Sequence, residues 1–156
     1  MATATGTRKK KVDLTTAVSL SAMGFKPYTP KKNEEYMNGD QLAHFHAILD
    51  YLKKELMNQA DATMQHMQDD SDNLPDPNDR ATKEEEVSLE LRTRDRERKL
   101  IKKIEQALEK VNSQDYGYCD TCGEEIGIRR LEARPTANMC IECKTLDEIK
   151  EKQQQG

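Results

Sequence analysis

From Leu42 onward the apolar side chains return every third or fourth position, at Leu42, Phe45, Leu49, Leu52 and Leu56. That is the spacing of a seam between paired helices. Ala60, Met64 and Met67 continue the stripe after a small phase shift, and no Pro or Gly interrupts residues 40–73. The pattern predicts one helix of about 28–30 residues, roughly 40–45 Å long. A second stripe follows Pro77. It uses Ala81, Val87 and Leu91, then a polar block, then Ile101, Ile104, Leu108 and Val111. Glu90 precedes Arg94, and Asp95 precedes Lys99, by one helical turn with the acid first, the stabilising order. Arg92 to Lys99 is almost wholly charged, so that stretch is expected to face water or a ligand, a polyanion being one such ligand.

Pro75 and Pro77 break any continuous helix between the two stripes. A connection this short makes the helices antiparallel neighbours. After Cys143, Leu146 and Ile149 with Lys150 and Lys152 predict a short terminal helix. A two-helix rod buries too little to hold itself together at its tip, so its base needs an anchor.

Composition agrees with an extended shape. The 156 residues are 35% hydrophobic and 35% charged, with 4% aromatic residues and no Trp. Globular chains run about 45–50% apolar, so one large core is not expected. No apolar stretch reaches the roughly 18–20 residues of a membrane span, and no apolar leader opens the chain. A soluble, cytoplasmic protein is expected. Charge is uneven: residues 1–32 carry net +6, residues 33–112 net −7 and residues 113–156 net −3. The expected organisation is a basic N-terminal segment over 1–32, partly ordered against the base, in which Asp13–Leu20 suits a short helix. An antiparallel coiled coil over 33–112 follows, with an acidic tip at 72–81. Residues 113–156, which hold all four cysteines in two Cys-x2-Cys pairs, are expected to form a zinc finger and C-terminal helix.

The anchor is written in the cysteines. Cys119-x2-Cys122 and Cys140-x2-Cys143 stand 17 residues apart, within the four-cysteine zinc pattern. Each pair suits a tight turn presenting two thiolates, and two turns complete a tetrahedron. Gly117 and Gly123 give the backbone room to bend. The alternative is two disulfides, which need an oxidising compartment. Four thiolates saturate the ion, so the zinc is structural and leaves no open position for catalysis.

From Asp69 to Glu86 the chain carries eight acidic residues against Arg80 and Lys83. Asp76 is placed as a helix N-cap, Pro77 as the first helical residue and Asp79 as the N3 acid, favoured by the helix dipole. The same carboxylates also suit an acidic loop inserted into a basic or metal-bearing channel of a larger partner. Spacing alone leaves both open.

The segment Cys119-x2-Cys122-x3-Ile126-x3-Arg130-x4-Pro135-x4-Cys140-x2-Cys143 resembles the signature of the DksA/TraR zinc-finger family. Asp76-x2-Asp79-x-Ala81 resembles the family's tip motif. Glu84-Glu85-Glu86, Leu89-Glu90-Leu91-Arg92, the run Arg94 to Lys103 and the run Gly127 to Thr136 extend the likeness over roughly residues 33–156. The resemblance implies a mainly α fold, a long antiparallel two-helix coiled coil on a small globular base with a four-cysteine zinc finger and a C-terminal helix. It implies a non-enzymatic transcription regulator that enters the secondary channel of bacterial RNA polymerase and binds its rim. Such a factor, monomeric when bound, destabilises open promoter complexes without sequence-specific DNA binding or a membrane. It acts with ppGpp in the stringent response, repressing ribosomal RNA promoters and permitting activation of amino-acid biosynthesis promoters. By the same resemblance Asp76, Asp79 and Ala81 form the polymerase-acting tip. Leu100, Lys103, Arg134 and Lys144 contact ppGpp, the cations through charge-assisted hydrogen bonds to phosphate.

Two rivals make different demands. A Gre-type transcript-cleavage factor also sends an acidic-tipped coiled coil into that channel but lacks the four-cysteine finger. A nucleic-acid-binding finger needs a basic, aromatic-bearing surface, whereas residues 113–156 are net negative with Tyr116 and Tyr118 as the only aromatics.

Overall fold

The computed structural model describes residues 20–69 and 76–156, without the side chains of Met67 and Asp69. The expected helix over 13–20, apart from Leu20, and most of the acidic loop before Asp76 lie outside them. Four α-helices follow a one-turn 3-10 segment at Ser21–Met23: α1 over Gly39–Asp69, α2 over Pro77–Asn112, α3 over Ile128–Ala133 and α4 over Ile141–Gln154. Among the described residues there is no strand, only an isolated antiparallel bridge between Tyr118 and Glu125.

Both long helices start on side-chain caps. Asn38 Oδ1 accepts from the Gln41 amide at 2.9 Å, and Gln41 Oε1 reaches back to the Met37 amide at 2.8 Å. This is the reciprocal logic of a capping box, displaced by one residue. Asp76 caps α2 by accepting from the Asn78 amide at 3.0 Å, with Pro77 in the first helical position, as its sequence predicts. α1 runs 31 residues and α2 runs 36, or about 46 and 54 Å.

The two helices are antiparallel. Lys53 meets Glu105 at 3.3 Å near the base, and His66 meets Glu90 at 3.4 Å further out. Near the base the seam is dry: Phe45, Ile48, Leu49, Leu52 and Leu56 are buried against Ile104, Ala107 and Val111. The same core takes in Met37, Tyr116, Ile126 and Leu131 of the flanking segments.

Further out the expected stripe needs correction. Ala81 and Leu91 are exposed, as is Met64, whereas Lys83, Val87, Glu90, Arg94, Glu97 and Ile101 are half-buried. The reason is register. The alternation of threes and fours through Val111, Leu108, Ile104 and Ile101 continues to Glu97, Arg94, Glu90 and Val87, leaving Leu91 one place off the seam. The charged stretch is therefore not wholly turned outward: Arg94 and Glu97 occupy seam positions.

The segment before α1 wraps the base as a strap. Phe25 meets Tyr51 edge-on at 5.7 Å, and Tyr28 lies 5.5 Å from His44. The Tyr28 amide donates to the buried Glu132 at 3.1 Å, and its hydroxyl donates to Glu34. That bond, with others from Asn38 and the Lys31 amide, holds the Glu34 carboxyl below its ordinary range.

Candidate functional site

Three features are separated along one molecule: a cysteine cluster at the base, a basic groove beside it and an acidic helix start at the far end. The cluster is built by two turns. The first is a hairpin in which Cys119 N donates to Glu124 O at 2.8 Å and Gly123 N donates to Cys119 O at 2.9 Å. The second is the start of α4, which Cys140 precedes. Asp120 N donates to Asn138 O at 2.9 Å and ties the turns together.

All four sulfurs lie within 4.8 Å of one another, and no disulfide joins any of the cysteines. Cys122 Sγ stands 3.7 Å from Cys140 Sγ. A tetrahedron with zinc–sulfur bonds of 2.3 Å has edges of about 3.8 Å. Backbone hydrogen bonds, from Cys140 first, hold the Cys119 thiol down to about 6, while its neighbours, Cys140 first, push the Cys143 thiol up. Four sulfurs this close ionise together only around a cation, so the donor set fits one zinc ion. When bound, zinc supplies a cross-link between the hairpin and α4, and four thiolates leave no position for a reacting ligand.

The groove has a volume of about 1030 Å³ and runs between α2 and the finger. Leu100, Lys103, Arg134 and Lys144, drawn from α2, the end of α3 and α4, all line it. Lys144 is loosely tethered, 3.8 Å from Asp147 and 3.9 Å from Glu148. Among the described residues no carboxylate pairs with Lys103 or Arg134. Arg96, Lys99 and Arg130 also line the groove. Arg130 forms its wall, donating from Nε to Met139 O at 3.1 Å. The sequence reading holds Arg96 and Lys99 only as part of a charged stretch open to water or a polyanion, and Arg130 only as part of the cysteine signature, although Arg96, Lys99 and Lys103 follow each other at helical spacing.

Asp76, the N-cap, and Asp79 and Ala81 in the opening turns of α2 are all exposed. From Lys103 back to Pro77 the helix spans about 39 Å, so groove and tip cannot touch the same small ligand. His44 and His66 belong to neither feature. His44 Nε2 is buried in the base without a hydrogen-bond partner, and burial holds the ring below its ordinary pKa.

A helical hairpin rooted beside a four-cysteine knuckle defines a C4-type zinc-finger protein with a projecting stalk. Residues 41–111 match the family model described as DnaK suppressor protein DksA, N-terminal domain, and residues 114–148 match the prokaryotic dksA/traR C4-type zinc finger. The RNA polymerase-binding transcription factor DksA of Haemophilus influenzae is 62% identical over 137 residues, covering 88% of this chain and 94% of that protein. The protein of the same name from Escherichia coli K12 is 61% identical over 143 residues, covering 91% and 95%. The solved structure of transcription factor DksA2 from Pseudomonas aeruginosa superposes with a TM-score of 0.71 at 36% identity, covering 77% of this chain and 94% of that one. The chain belongs to the DksA/TraR family. No helix among the described residues is long and apolar enough to cross a membrane.

Proposed function

We propose that this protein is a transcription factor that binds bacterial RNA polymerase. The stalk enters the secondary channel while the base rests on the rim. Asp76, Asp79 and Ala81 reach the polymerase active centre and act on its mobile elements, shortening the life of open promoter complexes. ppGpp binds where the basic groove meets the polymerase, held by Lys103, Arg134 and Lys144 with Leu100 against it. The ligand shifts promoter complexes because it binds the factor-bound state better than the free one. Ribosomal RNA promoters are repressed, and amino-acid biosynthesis promoters are activated.

One observation carries this reading. Four residues spread from position 100 to position 144 line a single basic groove at the root of a stalk whose far end is acidic. Lys and Arg in such a groove suit phosphate oxygens, and the stalk keeps the acidic end far from them. The test uses purified polymerase on a ribosomal promoter. Adding the protein shortens open-complex lifetime, and ppGpp shortens it further with the wild type but not with Lys103→Ala/Arg134→Ala. Unchanged lifetimes in both conditions refute the proposal, and cleavage of RNA in backtracked complexes replaces it with a Gre-like activity.

A further inference from the structure

Tyr36 belongs to the strap, yet its hydroxyl is inserted into the zinc hairpin from 81 residues away. It donates to Gly117 O at 2.8 Å and accepts from the Gly127 amide at 2.9 Å. The two glycines bracket the hairpin that carries Cys119 and Cys122. Gly117 O also accepts from Ile126 N at 2.8 Å, inside the hairpin itself. One phenol therefore joins both ends of the loop on which half the zinc ligands sit. Its ring meets Tyr118 edge-on at 5.5 Å.

The backbone is shaped to admit it. Gly117 and Gly127 have φ of 95° and 101°, values that a residue with a Cβ reaches only with strain. At Gly117 a Cβ would lie 2.8 Å from Met37 Cγ, so the strap's next residue is pressed onto the hairpin as well. Met37 in turn donates its amide to Gln41 of α1. A continuous path of contacts leads from the hairpin through Tyr36 and Met37 to the first turn of the coiled coil.

We propose that Tyr36 is the latch of the metal centre: its hydroxyl holds the hairpin shut, slows the departure of zinc, and lets the strap go when zinc is lost. Zinc leaves only after the paired thiolates separate from those at α4, and opening the hairpin breaks the bonds to the Tyr36 hydroxyl. Tyr36 is a positioning residue, since it touches no ligand atom. The proposal concerns metal retention and is independent of what the stalk binds.

The first test measures transfer of zinc from the full-length protein to a chromogenic chelator in excess. Tyr36→Phe keeps the ring and removes the hydroxyl. It should release zinc between about threefold and tenfold faster, the effect of one or two modest hydrogen bonds, with helicity unchanged by circular dichroism. Tyr51→Phe makes the same chemical change against Phe25, away from the finger, and should release zinc at the wild-type rate. Equal rates for Tyr36→Phe and wild type overturn the latch. The second test needs no variant and stands even if Tyr36→Phe does not fold. Hydrogen exchange of the wild type, before and after zinc removal, should show lost protection in a peptide over 34–38 and retained protection over 48–56. Unchanged exchange over 34–38, or equal loss in both peptides, overturns the release of the strap.

Discussion

The inner and outer halves of the stalk share one helical hairpin and differ in what holds it closed. At the root, Leu49 and Phe45 are fully buried and Ile104 is 1% exposed. Beyond Leu56 on α1 and before Ile104 on α2, no described stalk residue is buried, and the seam passes through Glu97, Arg94 and Glu90. Glu97 Oε2 is enclosed without a hydrogen-bond partner. Thr63, half-buried on α1, turns its hydroxyl back to Gln59 O of its own helix at 2.9 Å. The outer helices still have local support, including the Asp95–Lys99 pair at 3.0 Å, but exposed pairs of this kind contribute only about 0.3–0.5 kcal/mol. Being helical and being paired are thus separate properties. The root secures pairing by burial; the outer half has helices whose mutual attachment is weak.

Truncation sets the scale of that contrast. Leu49→Ala should lower unfolding free energy by about 2–5 kcal/mol in denaturant titrations, whereas Met64→Ala, 44% exposed, should change it by less than about 0.5 kcal/mol. Similar losses at both positions would erase the distinction between halves. Filling the outer seam should act the opposite way. Glu97→Leu relieves an enclosed carboxylate oxygen that costs about 1–3 kcal/mol and should slow amide exchange in 59–66 and 87–97. Slower exchange at the root alone would show that the outer seam is already tight.

The start of α2 probes the outer half without its seam. Asp76→Ala should weaken the first turn by about 1 kcal/mol, seen as faster exchange over 78–82, while Asp76→Asn should leave it intact. If the proposed action on open promoter complexes is lost in Asp76→Asn while the helix start stays intact, charge is separated from capping. The smallest effect is expected at His44 in the root. Its folded pKa lies below the ordinary value of 6.5 because of burial, opposed by Glu132. Below that value the unfolded chain binds a proton the folded one resists, so stability declines as pH falls through about 6.5. His44→Gln should flatten that decline in thermal melts at pH 7.5 and 5.5.

The sequence and the fold agree where chemistry is local. Stripes at three-and-four spacing marked both long helices, Asp76-Pro77 marked the start of α2, and paired Cys-x2-Cys turns marked the metal centre. Agreement ended where a contact depends on chain returning from afar. Nothing near Tyr36 announces bonds to Gly117 and Gly127, and nothing near Glu132 announces its acceptance of the Tyr28 amide. Leu91 and Met64 misled for a different reason. Apolar character drew them into the stripe, but seam membership is set by register carried outward from the root, and register admitted Arg94 and Glu97 instead. Lys103, Arg134 and Lys144 were tied together by likeness to a family rather than by spacing, because their proximity arises only when α3 and α4 fold back toward α2.

The hairpin leaves the base and returns to it, so its two arms work as a ruler graduated in residues. Seven more residues in each arm would carry the far end about 10 Å outward and turn it by only about 20°. Four in each would swing it round by about 40° while adding about 6 Å. Reach and aim are therefore tuned by insertions and deletions in matched sets, and a single unmatched residue would set the arms against each other.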